Sequence, residues 1–90
     1  MTYVKNLTIS NKKGLHARAA SLFVKEAEKY NCDIWVEKEA QRVSAHSIMG
    51  LMMLAASKDS QIKVIADGKD AEEALDGLSK LVDAKFFEEE

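Results

Sequence analysis

Gly14-Leu15-His16-Ala17-Arg18-Ala19-Ala20 lies where a polar turn becomes an amphipathic helix. Downstream, Ala20, Phe23, Val24 and Ala27 keep the i, i+3, i+4, i+7 spacing that lines one helix face, while Lys25, Glu28 and Lys29 lie opposite. The spacing predicts a helix from about His16 to Tyr30. Upstream, Asn11-Lys12-Lys13-Gly14 has turn chemistry. Before it, Tyr3 to Ile9 reads as a strand with Leu7 and Ile9 on one face and Asn6 and Thr8 on the other.

The rest of the chain repeats this alternation. Cys32 to Glu37 and Gln41 to Ser44 read as paired strands around Lys38-Glu39-Ala40, with Cys32, Ile34 and Val36 on one side and Trp35 on the other. Ser47 is a capping residue for a short helix through about Ala56. Gln61 to Ala66 is a fourth strand with Ile62, Val64 and Ala66 inward, closed by Asp67-Gly68. Asp70 and Glu73 form a capping-box-like pair before the stripe Ala71, Ala74, Leu75, Leu78, Leu81 and Val82. Phe86-Phe87 and the glutamates after them have no pattern that assigns them. The order is βαββαβα, an α+β arrangement with helices on one face of a largely antiparallel sheet and Trp35 covering the open face.

Composition narrows the function. Ninety residues with 47% apolar content suit one domain over residues 1–90 with a thin core. A net charge of −2 exerts no global pull on nucleic acid or anionic membranes. Cys32 is alone, so neither a disulfide nor thiol-based zinc chemistry is expected, and His16, His46 and Cys32 have no metal-ligand spacing. The amino terminus lacks the apolar core of a signal peptide, and no apolar run reaches the ~20 residues that span a bilayer. A cytoplasmic protein without cofactor or metal is expected. No glycine-rich loop or convergent polar pocket supports a small-molecule-binding domain.

The chemistry concentrates at His16. The first N–H groups of a helix lack internal acceptors and carry partial positive charge, which together favour a phosphate. Gly14 can turn the chain sharply into the helix, and Arg18, one turn in, can bring a permanent charge to phosphate oxygens. Both positive groups favour a neutral imidazole, which is the nucleophilic form, so a lowered pKa is expected before phosphorylation. Spacing alone leaves a plain solvated cap residue as the other reading.

The segment Gly14-Leu15-His16-Ala17-Arg18 resembles the active-site signature of the HPr family, the phosphocarriers of the phosphoenolpyruvate-dependent phosphotransferase system. Ser47-Ile48-Met49-Gly50-Leu51-Met52-Met53-Leu54 resembles that family's second-helix segment, and the element order agrees over essentially the whole chain. The resemblance implies an open-faced β-sandwich with strand order 1-4-2-3 and three helices on one face. It implies that Enzyme I phosphorylates His16 at Nδ1 and that the phosphoryl group passes to Enzyme IIA proteins, the chain being a carrier and not a stand-alone catalyst. Ala17 and Arg18 would hold the phosphate. One departure is Ala19, where the family usually has proline. Ala-Arg-Ala is similar to carriers of the nitrogen-related or alphaproteobacterial branch, so a regulatory relay is as plausible as sugar uptake.

On a wheel of about 100° per residue, Leu51, Leu54 and Ala55 gather on one side of the second helix and Ile48, Met49 and Met52 nearly opposite. A small domain cannot bury both faces, so Ile48, Met49 and Met52 are expected to dock a partner, a task that suits easily repacked methionines. The resemblance makes that partner Enzyme I. It also makes Ser47 a site of regulatory phosphorylation by HPr kinase/phosphorylase, with His46 where regulated members often have a basic residue. His46, Lys25 and Lys29 read as solvated, and Cys32 as a small buried hydrophobe. A monomer is expected. The competing reading is a regulatory protein-binding module that uses the same surface without transferring phosphate.

Overall fold

The structure is a computed structural model describing residues 1–90. Its elements are β1 (Thr2–Thr8), α1 (Ala17–Ala27), β2 (Cys32–Lys38), β3 (Gln41–Ser44), α2 (Ile48–Met53), β4 (Gln61–Gly68) and α3 (Ala71–Asp83). They form one antiparallel sheet in the order β1-β4-β2-β3, the order implied by the resemblance.

Register explains which face is covered. Leu7 pairs with Ile62, and Val36 pairs with Val64, so these side chains share the helix-covered face and are buried. Against them pack Phe23 and Val24 of α1, Leu51 of α2, and Leu78 and Val82 of α3. The opposite face has a short apolar row, because Ile65 pairs with both Val4 and Trp35. Trp35 covers that face as expected, and the Arg42 guanidinium lies 5.8 Å from its ring centroid.

Three local expectations are corrected. The first helix ends at Ala27 instead of continuing to Tyr30, because the chain tightens into Lys29 N–H to Glu26 C=O (3.2 Å) and Tyr30 N–H to Ala27 C=O (3.3 Å) bonds. The second helix ends at Met53, short of Ala56. Ala55 turns left-handed (φ 50°) and is exposed, while the Ala56 carbonyl accepts the N–H of Leu15 at 2.9 Å. The Asp70–Glu73 box does not form. Asp70 sits at the start of α3 without capping it, and its Oδ2 instead accepts the N–H of Asn31 at 2.8 Å, which ties down the turn before β2.

The C-terminal segment, which sequence left unassigned, is structured. Lys85, Phe86 and Phe87 all have positive φ (55°, 53° and 60°), a left-handed turn that L-residues adopt at a cost. Burial of Phe86, only 1% exposed, among the core residues offsets that cost and redirects the chain toward the start of α1. No helix is long and apolar enough to cross a membrane.

Candidate functional site

Three constraints place His16. Gly14 has φ 66°, and a Cβ there would collide with the Ala56 carbonyl oxygen, so glycine meets both a conformational and a spatial demand. Asn11 is buried, and its Nδ2 donates to the Gly14 carbonyl at 2.8 Å, holding the turn. Leu15 is buried beside it. The next residue, His16, takes the N-cap position of α1 with extended backbone (φ −79°, ψ −178°), and its carbonyl accepts the Ala20 N–H at 2.8 Å.

The imidazole does not cap the helix. The N–H groups of Ala17 and Arg18 therefore keep their outward bonding capacity, with no acidic side chain in the first turn to compete. The His16 side chain is 25% exposed, reachable yet held. A shallow cleft of about 220 Å³ beside it is lined by Lys13, Leu15, His16, Ala55, Ala56 and Ser57. The largest depression in the molecule, about 580 Å³, lies between α1 and α3; it shares no residue with this cleft, and its wall includes Glu26, Glu73 and Asp76. Its only lining cation, Lys80, is paired with Asp76 at 3.2 Å, so three carboxylates against one lysine make it a poor place for an anion.

Sequence reasoning missed one participant altogether. Glu88 comes back over the turn with its side chain only 6% exposed. Its Oε2 contacts His16 Nε2 and lies 3.8 Å from the Arg18 guanidinium, while its Oε1 accepts from Asn11 Nδ2 at 3.1 Å. Desolvation pushes the Glu88 carboxyl upward, but hydrogen bonds from His16 and Asn11 and the nearby positive charges outweigh it and leave the pKa lowered. The next turn of chain is fastened too: Glu90 Oε2 accepts the Lys12 N–H at 2.6 Å, and Lys85 Nζ lies 3.4 Å from Glu90 Oε1. The positive environment foreseen around His16 thus contains a carboxylate. Nothing in the sequence marked it, because what fixes where the glutamates fall is the burial of Phe86, a property of the fold.

The other candidate residues lie on α2, which packs against α1. Ser47 Oγ accepts the Gly50 N–H at 2.9 Å, the cap expected from sequence. Met49 is 73% exposed, and Ile48 and Met52 are also exposed; Met53, not singled out before, extends the same apolar patch. His46 is exposed. Lys29 pairs with Glu26 at 2.9 Å. Cys32 is half-buried and not fully buried as expected, and burial followed by its acidic neighbours raises its thiol pKa, which disfavours the thiolate.

The family model described as "PTS HPr component phosphorylation site" matches residues 3–84. The chain belongs to the HPr family. The phosphocarrier protein HPr of Neisseria meningitidis is 44% identical over 86 residues, covering 96% of this chain and 97% of that protein. The HPr-like protein Crh of Bacillus subtilis is 48% identical over 71 residues, covering 79% of this chain and 84% of Crh. The solved HPr-C-His from Thermoanaerobacter tengcongensis superposes with a TM-score of 0.93 at 46% identity, covering 98% of this chain and 99% of that one. HPr proteins are phosphocarriers of the phosphotransferase system, carriers and not catalysts, and the family supplies that general role here. The expectation of a monomer gains no support, because an HPr from the same Thermoanaerobacter species, 49% identical, is solved as a dimer (TM-score 0.77; 91% of this chain and 94% of that one covered).

Proposed function

We propose that this chain is a cytoplasmic carrier domain spanning residues 1–90 that accepts a phosphoryl group from phospho-Enzyme I on Nδ1 of His16 and passes it to Enzyme IIA proteins. The observation that carries this reading is an imidazole at the opening of α1 that leaves the helix amides uncapped. The backbone N–H groups of Ala17 and Arg18 and the Arg18 guanidinium would hold the phosphate oxygens, sharing the charge stabilisation with whichever partner is docked. Ala19 is buried and retains an N–H that proline would lack, one further amide facing the opening.

The test is incubation with labelled phosphoenolpyruvate and Enzyme I. The intact chain should gain one acid-labile phosphate, His16→Ala none, and Arg18→Ala should be labelled more slowly. Labelling of His16→Ala at the intact rate sinks the assignment.

Docking of Enzyme I falls to Ile48, Met49 and Met52. Their exposure on a helix whose other face is anchored by buried Leu51 gives an apolar patch with few uses other than contact. Met49→Asp with Met52→Asp should slow transfer from Enzyme I by about tenfold or more and leave the urea midpoint nearly unmoved. Ser47 is the candidate regulatory site for HPr kinase/phosphorylase. A phosphate there would remain beside the Gly50 amide and set negative charge against the apolar patch. Mass mapping after incubation with ATP and the purified kinase checks it.

A further inference from the structure

Glu88 does more at His16 than complete a surface. An ionised carboxylate offers only acceptors, so the Glu88 Oε2 contact with Nε2 requires the proton of a neutral ring to sit on Nε2. The ring's lone pair is then on Nδ1, the nitrogen that makes no cap bond to α1. Three features hold the carboxylate there: the Asn11 Nδ2 bond to Oε1 at 3.1 Å, the Arg18 guanidinium at 3.8 Å, and the buried Phe86 anchor two residues before it. The left-handed turn over Lys85–Phe87 is what aims the chain back at the ring, and local strain of this kind persists where surrounding structure over-determines it.

We propose that Glu88 is a positioning residue for phosphoryl transfer, fixing His16 as the Nε2–H tautomer so that Nδ1 is the committed nucleophile. The inference rests on the carrier reading above. In the step, the Nδ1 lone pair forms a bond to phosphorus while the donor's bond to phosphorus breaks, its electron pair leaving with the donor. The Nε2 proton stays on the ring throughout. The positive charge that the ring gains on becoming N-phosphorylated faces Glu88, and the Arg18 guanidinium is shared between that carboxylate and the incoming phosphate. In the reverse step, onto an acceptor, the same bond holds the ring in place as the leaving group. Lys12 and Lys13 from the turn and Glu89 and Glu90 from the tail ring the contact, with Arg18 and Glu88 completing the wall. The Lys12 N–H bond to Glu90 keeps the tail from swinging clear.

The test compares the intact chain with Glu88→Ala and Glu88→Gln. Ring nitrogen shifts of ¹⁵N-histidine-labelled protein report the tautomer without any partner, and transfer from phosphoenolpyruvate through Enzyme I reports the rate. The intact protein should show the neutral ring predominantly as the Nε2–H tautomer. Glu88→Ala should show a mixture of tautomers and transfer about tenfold more slowly, the low end of what carboxylates contribute behind metal-bound histidines. Glu88→Gln, which can still accept the Nε2–H, should recover the tautomer and part of the rate. Backbone amide shifts outside the tail and the turn should stay put in both variants. An Nδ1–H ring in the intact protein, an unchanged tautomer in Glu88→Ala, or unchanged transfer in that variant overturns the proposal. Faster transfer in Glu88→Ala also overturns it, and marks the tail as a plug. If the intact chain takes no phosphate at all, the carrier reading has failed, and the nitrogen shifts still say whether Glu88 sets the tautomer.

Discussion

At the start of α2, Ser47 lies extended (φ −116°, ψ 109°) and its hydroxyl oxygen accepts the Gly50 N–H, so one of the helix's spare amides is already spent. At the start of α1 the residue is also extended, but it is histidine, its ring turns away to Glu88, and the amides stay open. The two helices answer the same physical problem, unpaired donors at a helix opening, in opposite ways. A self-capped opening is stable and chemically quiet. An uncapped opening keeps its donors for something arriving from outside, and the order it lacks must come from neighbours. Here those neighbours are Gly14, Asn11 and the returning tail.

The largest effect should therefore come from disturbing the supports of the open helix start. Gly14→Ala places a Cβ against the Ala56 carbonyl and forces alanine into φ 66°. It should cost about 3 kcal/mol in urea unfolding, combining αL strain with a backbone collision. Phosphoenolpyruvate-dependent labelling measured well below the melting point should also fall, because the turn that aims His16 has moved. A loss of stability with full labelling would show that α1's opening does not depend on this turn.

A smaller and more pointed effect comes from exchanging the two solutions. Ser47→Ala removes the α2 cap and should cost about 1 kcal/mol. Giving α1 a serine cap should do the reverse, since the His16 backbone already has the extended angles a capping residue needs. In a Glu88→Ala background, which avoids stranding a nearly buried carboxylate, His16→Ser should gain about 0.5 to 1 kcal/mol over Glu88→Ala alone. The gain would come with complete loss of labelling, a direct measure of the stability that α1 forgoes for an open start. A loss of stability on adding serine there would break the comparison.

This contrast also marks how far the sequence could be read. Period-2 and period-3.6 patterns located the four strands and the three α-helices, though not all their ends and not the 3-10 turn at Lys85–Phe87. The Ser47 cap was legible because serine, its helix and Gly50 are neighbours in the chain. The same local logic misread Asp70, whose carboxylate serves Asn31 39 positions away. Glu88 was illegible for the same reason: its meeting with His16 spans 72 positions and depends on three residues taking positive φ, which no propensity favours. Asn11 looked like an ordinary turn residue, and its burial and its bond to Glu88 exist only once the tail has come back. The nucleophile candidate was visible from its flanks. Its partner was visible only through the fold.

The smallest effect belongs to the far end of α1, where Glu26, Lys29 and Tyr30 are paired with one another. Glu26 accepts from Lys29 at 2.9 Å and from the Tyr30 hydroxyl at 2.7 Å. Those two hydrogen bonds, the lysine's first, hold the Glu26 carboxyl below its ordinary 4.5, and donation to Glu26 pushes the Tyr30 phenol up to about 12 from 10.0. A raised phenol pKa means that the folded state favours the protonated form. The contribution is thus complete below pH 10 and is lost as pH climbs toward 12. For Glu26 the sign is opposite: the contribution is present above pH 4.5 and is lost as pH falls through the lowered folded value. Tyr30→Phe should then cost about 0.5 kcal/mol at pH 8, as suits a half-solvated hydrogen bond, and less at pH 11.5. Urea unfolding of the two proteins at both pH values measures the gap, which must narrow on the alkaline side. Transfer to and from His16 should not change, because nothing at this end reaches the open amides. If it does change, the two ends of α1 are coupled, and openness at its start is a property of the whole helix instead of one residue's choice of cap.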